Sequence, residues 1–229
     1  MDERSKEKNR LCTALLHEQR KHAPFQPKHA IKEQFLFFTL LLLLIIIFIP
    51  TSSRSEDLQS NLDHKVFDWA QQCREEVVKQ FELLLSSGQL SVGQLFDTFY
   101  IPIPDTYPQK YHTQYDTLSD EVLRPILDKY LKKDPHLVFF IAVDRNGYLP
   151  THNTRYAQPL TGDPEIDSIK NRTKRIFNDR TGLAAARNKQ EYLLQRYNRD
   201  TGEQMSDLSI PITINNRHWG AIRVGYKSE

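Results

Sequence analysis

The stretch LVFFIAVDRNGYLPTHN, residues 137–153, decides how this chain folds. An unbroken apolar run ending in Asp144 suits a central strand covered on both faces. Asn146-Gly147 follows, a dipeptide that supplies the positive φ of a tight turn. YLPTHN then predicts a second strand folded back on the first and reaching His152. Downstream, residues 163–190 form a polar, basic crossover. Three strand-like segments succeed it, EYLLQRYN, SDLSIPITI and HWGAIRVGY, joined by Arg-Asp-Thr-Gly and Asn-Asn-Arg turns. Upstream, apolar residues at Leu58, Leu62, Val66, Trp69, Cys73, Val77, Phe81 and Leu84 fall at spacings of three and four. That is one helical stripe, with Ser55 as expected cap and Ser86-Ser87-Gly88 as stop. The order predicts an α+β domain: a long N-terminal helix covering a five-stranded antiparallel sheet.

Between helix and strands lie a short helix (90–99), a proline- and tyrosine-rich connection (100–115) and a helical stretch (117–133) that Pro125 should kink or restart. The long helix, 56–85, covers the sheet with one face. A homodimer could use it as well, either through the opposite face or through a seam of Trp69, Cys73 and Val77. Burial is the default for Cys73.

Phe35–Ile49 is an uncharged apolar run with Thr39 as its only polar residue. As a helix it reaches about 22 Å, and Pro50–Ser53 extend it to a span. We therefore divide the chain into a basic tail (1–33), a transmembrane signal anchor (34–53), the long helix (54–90) and a main domain (91–229). A cleaved signal peptide is the alternative, although the polar segment before the run is long for one. Arg20, Lys21, Lys28 and Lys32 precede the run and only Arg54 follows closely. This asymmetry places the N-terminus in the cytoplasm and the main domain outside. Cys12 and Cys73 would then lie on opposite sides of the membrane and could not pair.

With a net charge of +2 spread over 229 residues, nucleic acid is not an expected partner. The eight histidines stand in no metal-binding spacing, and no nucleophile elbow or phosphate loop occurs. No enzyme activity, metal or cofactor is expected. In SDLSIPITI, Leu208, Ile210, Ile212 and Ile214 alternate with Asp207, Ser209 and Pro211, so one sheet face is apolar. The other would present Asp207, Gln195 and Tyr197, with His152 at the rim, beneath a crossover carrying Arg172, Lys174 and Arg175. Such polar groups converging under a loop suit a small-molecule pocket. Guanidinium groups there favour a carboxylate or amino-acid-like ligand, with Arg175 as first choice and Arg172 and Lys174 as alternates. The alternative is a solvated sheet face under a basic surface loop.

These segments also resemble a known family. FDTFYIPIP, YPQKYHT, DRNGYLPTHN, NRTKRIFNDRTGL, YLLQRYNRDTG and NRHWG, within about residues 95–226, look like the Cache/PAS-like sensory module of bacterial methyl-accepting chemotaxis proteins. The resemblance implies a membrane-anchored sensor of chemotaxis-type signal transduction, in a bacterial inner membrane. Its main domain would be periplasmic, or cytoplasmic as in some receptors of this kind. The sequence carries neither a methylated coiled coil nor a second apolar span, so the resemblance implies a signalling partner in the membrane or a truncated receptor. A membrane-tethered protein–protein interaction module with no small ligand is the second reading.

Overall fold

The computed structural model describes residues 56–198 and 204–227. Helix α1 (Asn61–Ser86) begins later than apolar spacing predicts, because Ser60 and Asp63 fix its start. The Ser60 hydroxyl accepts from Asp63 N–H, and the Asp63 carboxylate accepts from Ser60 N–H, both at 3.0 Å. This reciprocal box satisfies two donors that would otherwise be orphaned. The expected cap, Ser55, lies outside the described residues. Leu62, Val66, Cys73, Val77, Phe81 and Leu84 of the stripe are buried against the sheet, as predicted, while Trp69 is half-buried and Ala70 is buried beside it. Cys73 is fully buried within the stripe, and burial pushes its thiol pKa up. A homodimer seam through Trp69, Cys73 and Val77 is thereby corrected: the protein's own sheet occupies that face.

After α1 come α2 (Val92–Leu95), a small antiparallel pair β1 (Ile101–Ile103) and β2 (Lys110–His112), α3 (Asp116–Val122) and α4 (Arg124–Leu131). Pro125 sits in the first turn of α4, where its missing N–H costs nothing, so the chain restarts there. Then follow β3 (Leu137–Asp144), β4 (Tyr148–Leu149), α5 (Pro164–Lys170), β5 (Arg175–Ile176), α6 (Arg180–Arg187), β6 (Leu193–Asn198), β7 (Gln204–Ile214) and β8 (Arg217–Lys227).

The main sheet has four antiparallel strands in the order β3-β8-β7-β6, not the expected five. The turn at Asn146-Gly147 forms, with Gly147 at φ +80°. However, β4 leaves the sheet and pairs with β5, Tyr148 opposite Ile176. Two local devices cause this. Asp144 Oδ1 accepts from Asn146 N–H at 2.8 Å and Tyr148 N–H at 2.9 Å, which bends the chain out of the strand plane. The outer edge of β3 is then taken by side chains: Asn153 Oδ1 accepts from Phe140 N–H at 2.9 Å, and Arg155 donates to Leu137 O and Val138 O. An edge so covered needs no further strand.

Leu208, Ile210, Ile212 and Ile214 of β7 join α1 in the main core, as their alternation predicts. Trp219 completes that core, stacking near Phe81 at 5.0 Å and donating Nε1–H to Leu95 O at 3.0 Å. Among the described residues, no helix is long and apolar enough to cross a membrane. The expected span, Phe35–Ile49, lies outside them.

Candidate functional site

The sheet face turned away from α1 is roofed by residues 150–187, and a cavity of about 320 Å³ lies between them. Phe139 and Ile141 of β3 and Arg223 of β8 form its floor. His152, Arg172, Phe177, Asp179, Thr181 and Tyr197 complete its lining.

The floor depends on Gly225. A β-carbon there would fall 2.2 Å from the Phe139 ring, so glycine lets that ring lie across β8. Gly225→Ala is expected to cost about 1–3 kcal/mol through overpacking, read as a lower urea midpoint. Combined with Phe139→Val, which removes the ring, the loss should be smaller than the sum of the single losses. Strict additivity would show that the ring and Gly225 are not coupled.

The roof depends on Lys110. Its ammonium is buried and donates to Asn171 O at 2.9 Å, Asn171 Oδ1 at 2.7 Å and Thr173 O at 2.8 Å. Burial and the nearby Arg175 pull its pKa down to about 8. This clamp brackets Arg172 on both sides and sets which crossover residue turns inward. Arg172 lines the cavity, its guanidinium 5.3 Å from the centre of the Phe177 ring. Arg175, the expected first choice, does not line it. Its guanidinium also rests on Phe177, at 5.1 Å, and donates to Ser168 O at 3.2 Å. Burial and Arg172 lower its pKa to about 10. Lys174 points elsewhere, to Asp120 at 2.8 Å and Asp116 at 3.2 Å.

His152 is 2 % exposed. Burial, then the surrounding Arg172, Arg155, Arg175 and Lys110, holds its pKa well below the ordinary histidine value. The ring is therefore neutral. Its Nδ1 accepts from Asn153 N–H at 2.7 Å, which leaves the proton on Nε2. The cavity thus has a neutral donor in its wall. Tyr197 lines it too.

Besides Arg175, two further expected site residues lie outside the lining. Gln195 is spent on the scaffold, donating to Thr181 O at 3.2 Å. Asp207 is fully buried beneath the floor and ion-paired to Arg223, with Arg223 Nε 3.4 Å from Oδ1 and Nη2 closer on Oδ2. A carboxylate in mid-strand without solvent must be matched by a cation, and Arg223 is the one on the same face.

Sequence reasoning did not single out Phe139, Ile141, Phe177, Asp179, Thr181 or Arg223. One signal was present for Arg223: in GAIRVGY it is a lone charge on the same strand parity as Ala221 and Gly225. Asp179 was legible as a helix cap, accepting from Gly182 N–H at 3.0 Å. Its place in the cavity follows only from where α6 packs. Among the described residues, no three His, Cys, Asp or Glu side chains converge as a metal would require.

No protein-family model matches the sequence, a Cache model included, and no curated protein matches it significantly. A solved structure, an extracellular ligand binding receptor from Desulfohalobium retbaense DSM5692, is similar at a TM-score of 0.34 and 13% identity. The similarity covers 69% of this chain and 24% of that one, so the chain spans about a quarter of the receptor's length.

Proposed function

We propose that the cavity binds a small carboxylate or amino-acid-like ligand. The chain would thereby serve as a Cache/PAS-like sensory protein of chemotaxis-type signal transduction. One observation carries this reading: Arg172, neutral His152 and Asp179 line a single cavity with Phe139, Ile141 and Phe177. Arg172 would take a carboxylate as a charge-assisted pair, and His152 Nε2–H would supply a second donor. Asp179, with the faces of Phe177 and Tyr197, would suit an ammonium group. Arg223 is part of the floor and not a clamp, since Asp207 already neutralises it. The site binds and does not catalyse in this reading, because His152 is held by its neighbour's backbone and kept neutral.

Phe35–Ile49 anchors the protein in a bacterial inner membrane in the same reading. The basic tail stays in the cytoplasm, the sensory domain lies outside, and a partner in the membrane carries the signal onward. Support comes from the flanking charge asymmetry and the sequence resemblance.

The test is a thermal-shift panel of carboxylates, amino acids and purines on the full-length chain. A binding compound should raise the melting temperature. Arg172→Ala should then weaken its affinity by about 1.5–3 kcal/mol, and Arg175→Ala by less. A silent panel, or an affinity unmoved by Arg172→Ala, removes the proposal. Silence would favour a protein-interaction module, a reading to which the exposed Phe99, Ile101 and Tyr107 around the β1–β2 pair lend support.

A further inference from the structure

A second concave surface lies at the end of the sheet away from Glu56. There the β3–β4 turn (Arg145, Asn146), the last residue of α6 (Arg187) with Lys189 just after it, and the start of β8 (Arg217, His218) enclose an open cleft of about 590 Å³. Four permanent cations line it and no carboxylate does. Five cations elsewhere are ion-paired: Arg124 with Asp120, Lys129 with Glu76, Lys174 with Asp120, Arg196 with Asp63 and Arg223 with Asp207. Among the described residues, none of the four cleft cations makes an ion pair.

A cluster of like charges on a surface is usually a solvated face, with long side chains spread apart by repulsion. Here the walls are held. The Arg217 guanidinium lies 4.1 Å from the centre of the Phe96 ring, which fixes it by stacking. Arg187 Nε leans on Arg145 O at 3.4 Å. His218 Nε2 donates to Ala186 O at 2.9 Å, while its buried Nδ1 has no partner among the described residues. Arg187 and Arg217 are thereby held on the cleft wall, and a bound anion would be attracted by the four like charges more strongly in a concave site than on a flat one.

We infer that this cleft is an anion site for a phosphoryl group carrying at least two negative charges. The count of cations decides the charge: a monocarboxylate would leave three of them unneutralised. Three guanidinium forks decide the chemistry, since their planar paired donors match phosphate oxygens bidentately. The phosphoryl group could belong to a soluble metabolite or to a lipid headgroup. The inference is independent of the ligand cavity, with which the cleft shares no lining residue.

The experiment is calorimetric titration of the full-length chain with inorganic pyrophosphate at low ionic strength. Binding is expected, weakening as salt rises. The double variant Arg187→Gln with Arg217→Gln should lose affinity about tenfold or more, and Lys189→Gln should lose less. All three side chains are exposed, and an unchanged melting temperature for the unliganded variants confirms that they fold. Absence of binding up to about 1 mM, or binding unaltered in the double variant, overturns the proposal. Glycerol phosphate and dihexanoyl phosphatidic acid share one phosphomonoester. Tighter binding of the latter assigns the site to a lipid headgroup, and equal binding assigns it to a soluble anion.

Discussion

Arg223→Met is expected to destabilise the protein by about 3–5 kcal/mol, because it strands Asp207 as an unpaired charge in the sheet. Asp207 is fully buried and Arg223 nearly so. The pair bridges β7 and β8 at the cavity floor, where Ser209 stands opposite Arg223 and Asp207 opposite Gly225. Burial alone would lower the arginine's pKa, yet the Asp207 carboxylate raises it above the ordinary value, so the ion pair holds. A loss of this size is a large share of the roughly 5–15 kcal/mol that stabilises an ordinary domain. Chemical denaturation measures it, and the melting temperature should fall in parallel. Adding Asp207→Leu to Arg223→Met should recover most of the loss, since two apolar groups of similar volume bring no desolvation cost. A single variant that loses under about 1 kcal/mol would show that solvent reaches the pair. A double variant no better than the single would show that the ion pair is not what Arg223 contributes.

Gly220→Ala should cost upwards of about 3 kcal/mol. A β-carbon at Gly220 would fall 1.9 Å from Val143 O and 2.7 Å from Asp144 Cα. Both are backbone atoms of the neighbouring strand, so no side chain can swing aside to make room. The strands would have to part at Asp144, the node of the turn. Its carboxylate accepts from Tyr100 Oη–H at 2.6 Å and Tyr115 Oη–H at 3.0 Å, besides the two backbone N–H groups of the turn. Burial raises the Asp144 pKa in spite of these four donors, so the network is sensitive to any loosening. Near-UV circular dichroism should report the change through the two tyrosines, alongside the fall in stability. Gly93→Ala is the control. It sits in α2, its nearest neighbour would be Ser91 Oγ at 3.8 Å, and it should be neutral or slightly stabilising. Equal behaviour of the two variants would remove the argument from strand approach.

What the sequence by itself determined is what depends on near neighbours along the chain. The α1 stripe and the Leu208–Ile214 alternation were legible because helical and strand periods put apolar residues on one face whatever surrounds them. The same holds for the Asn146-Gly147 turn and the restart at Pro125. The Ser60–Asp63 cap was written in the sequence as well, but the apolar Leu58 drew the predicted start of α1 earlier.

Tertiary structure alone decided the rest. β4 pairs with a two-residue strand, Arg175–Ile176, which is too short to show any period, and the edge that β4 might have taken is covered by Asn153 and Arg155. Arg172 faces the cavity while Arg175 does not, because Lys110, 61 residues before Asn171, fixes the crossover's phase. Cys73 turns from a possible contact between chains into core because the sheet is there to receive it. Asp207 becomes a buried ion pair instead of a ligand contact because β8 brings Arg223 to its side. Each of these outcomes depends on a hydrogen bond, ion pair or packing contact between segments far apart in the chain, which no local period records.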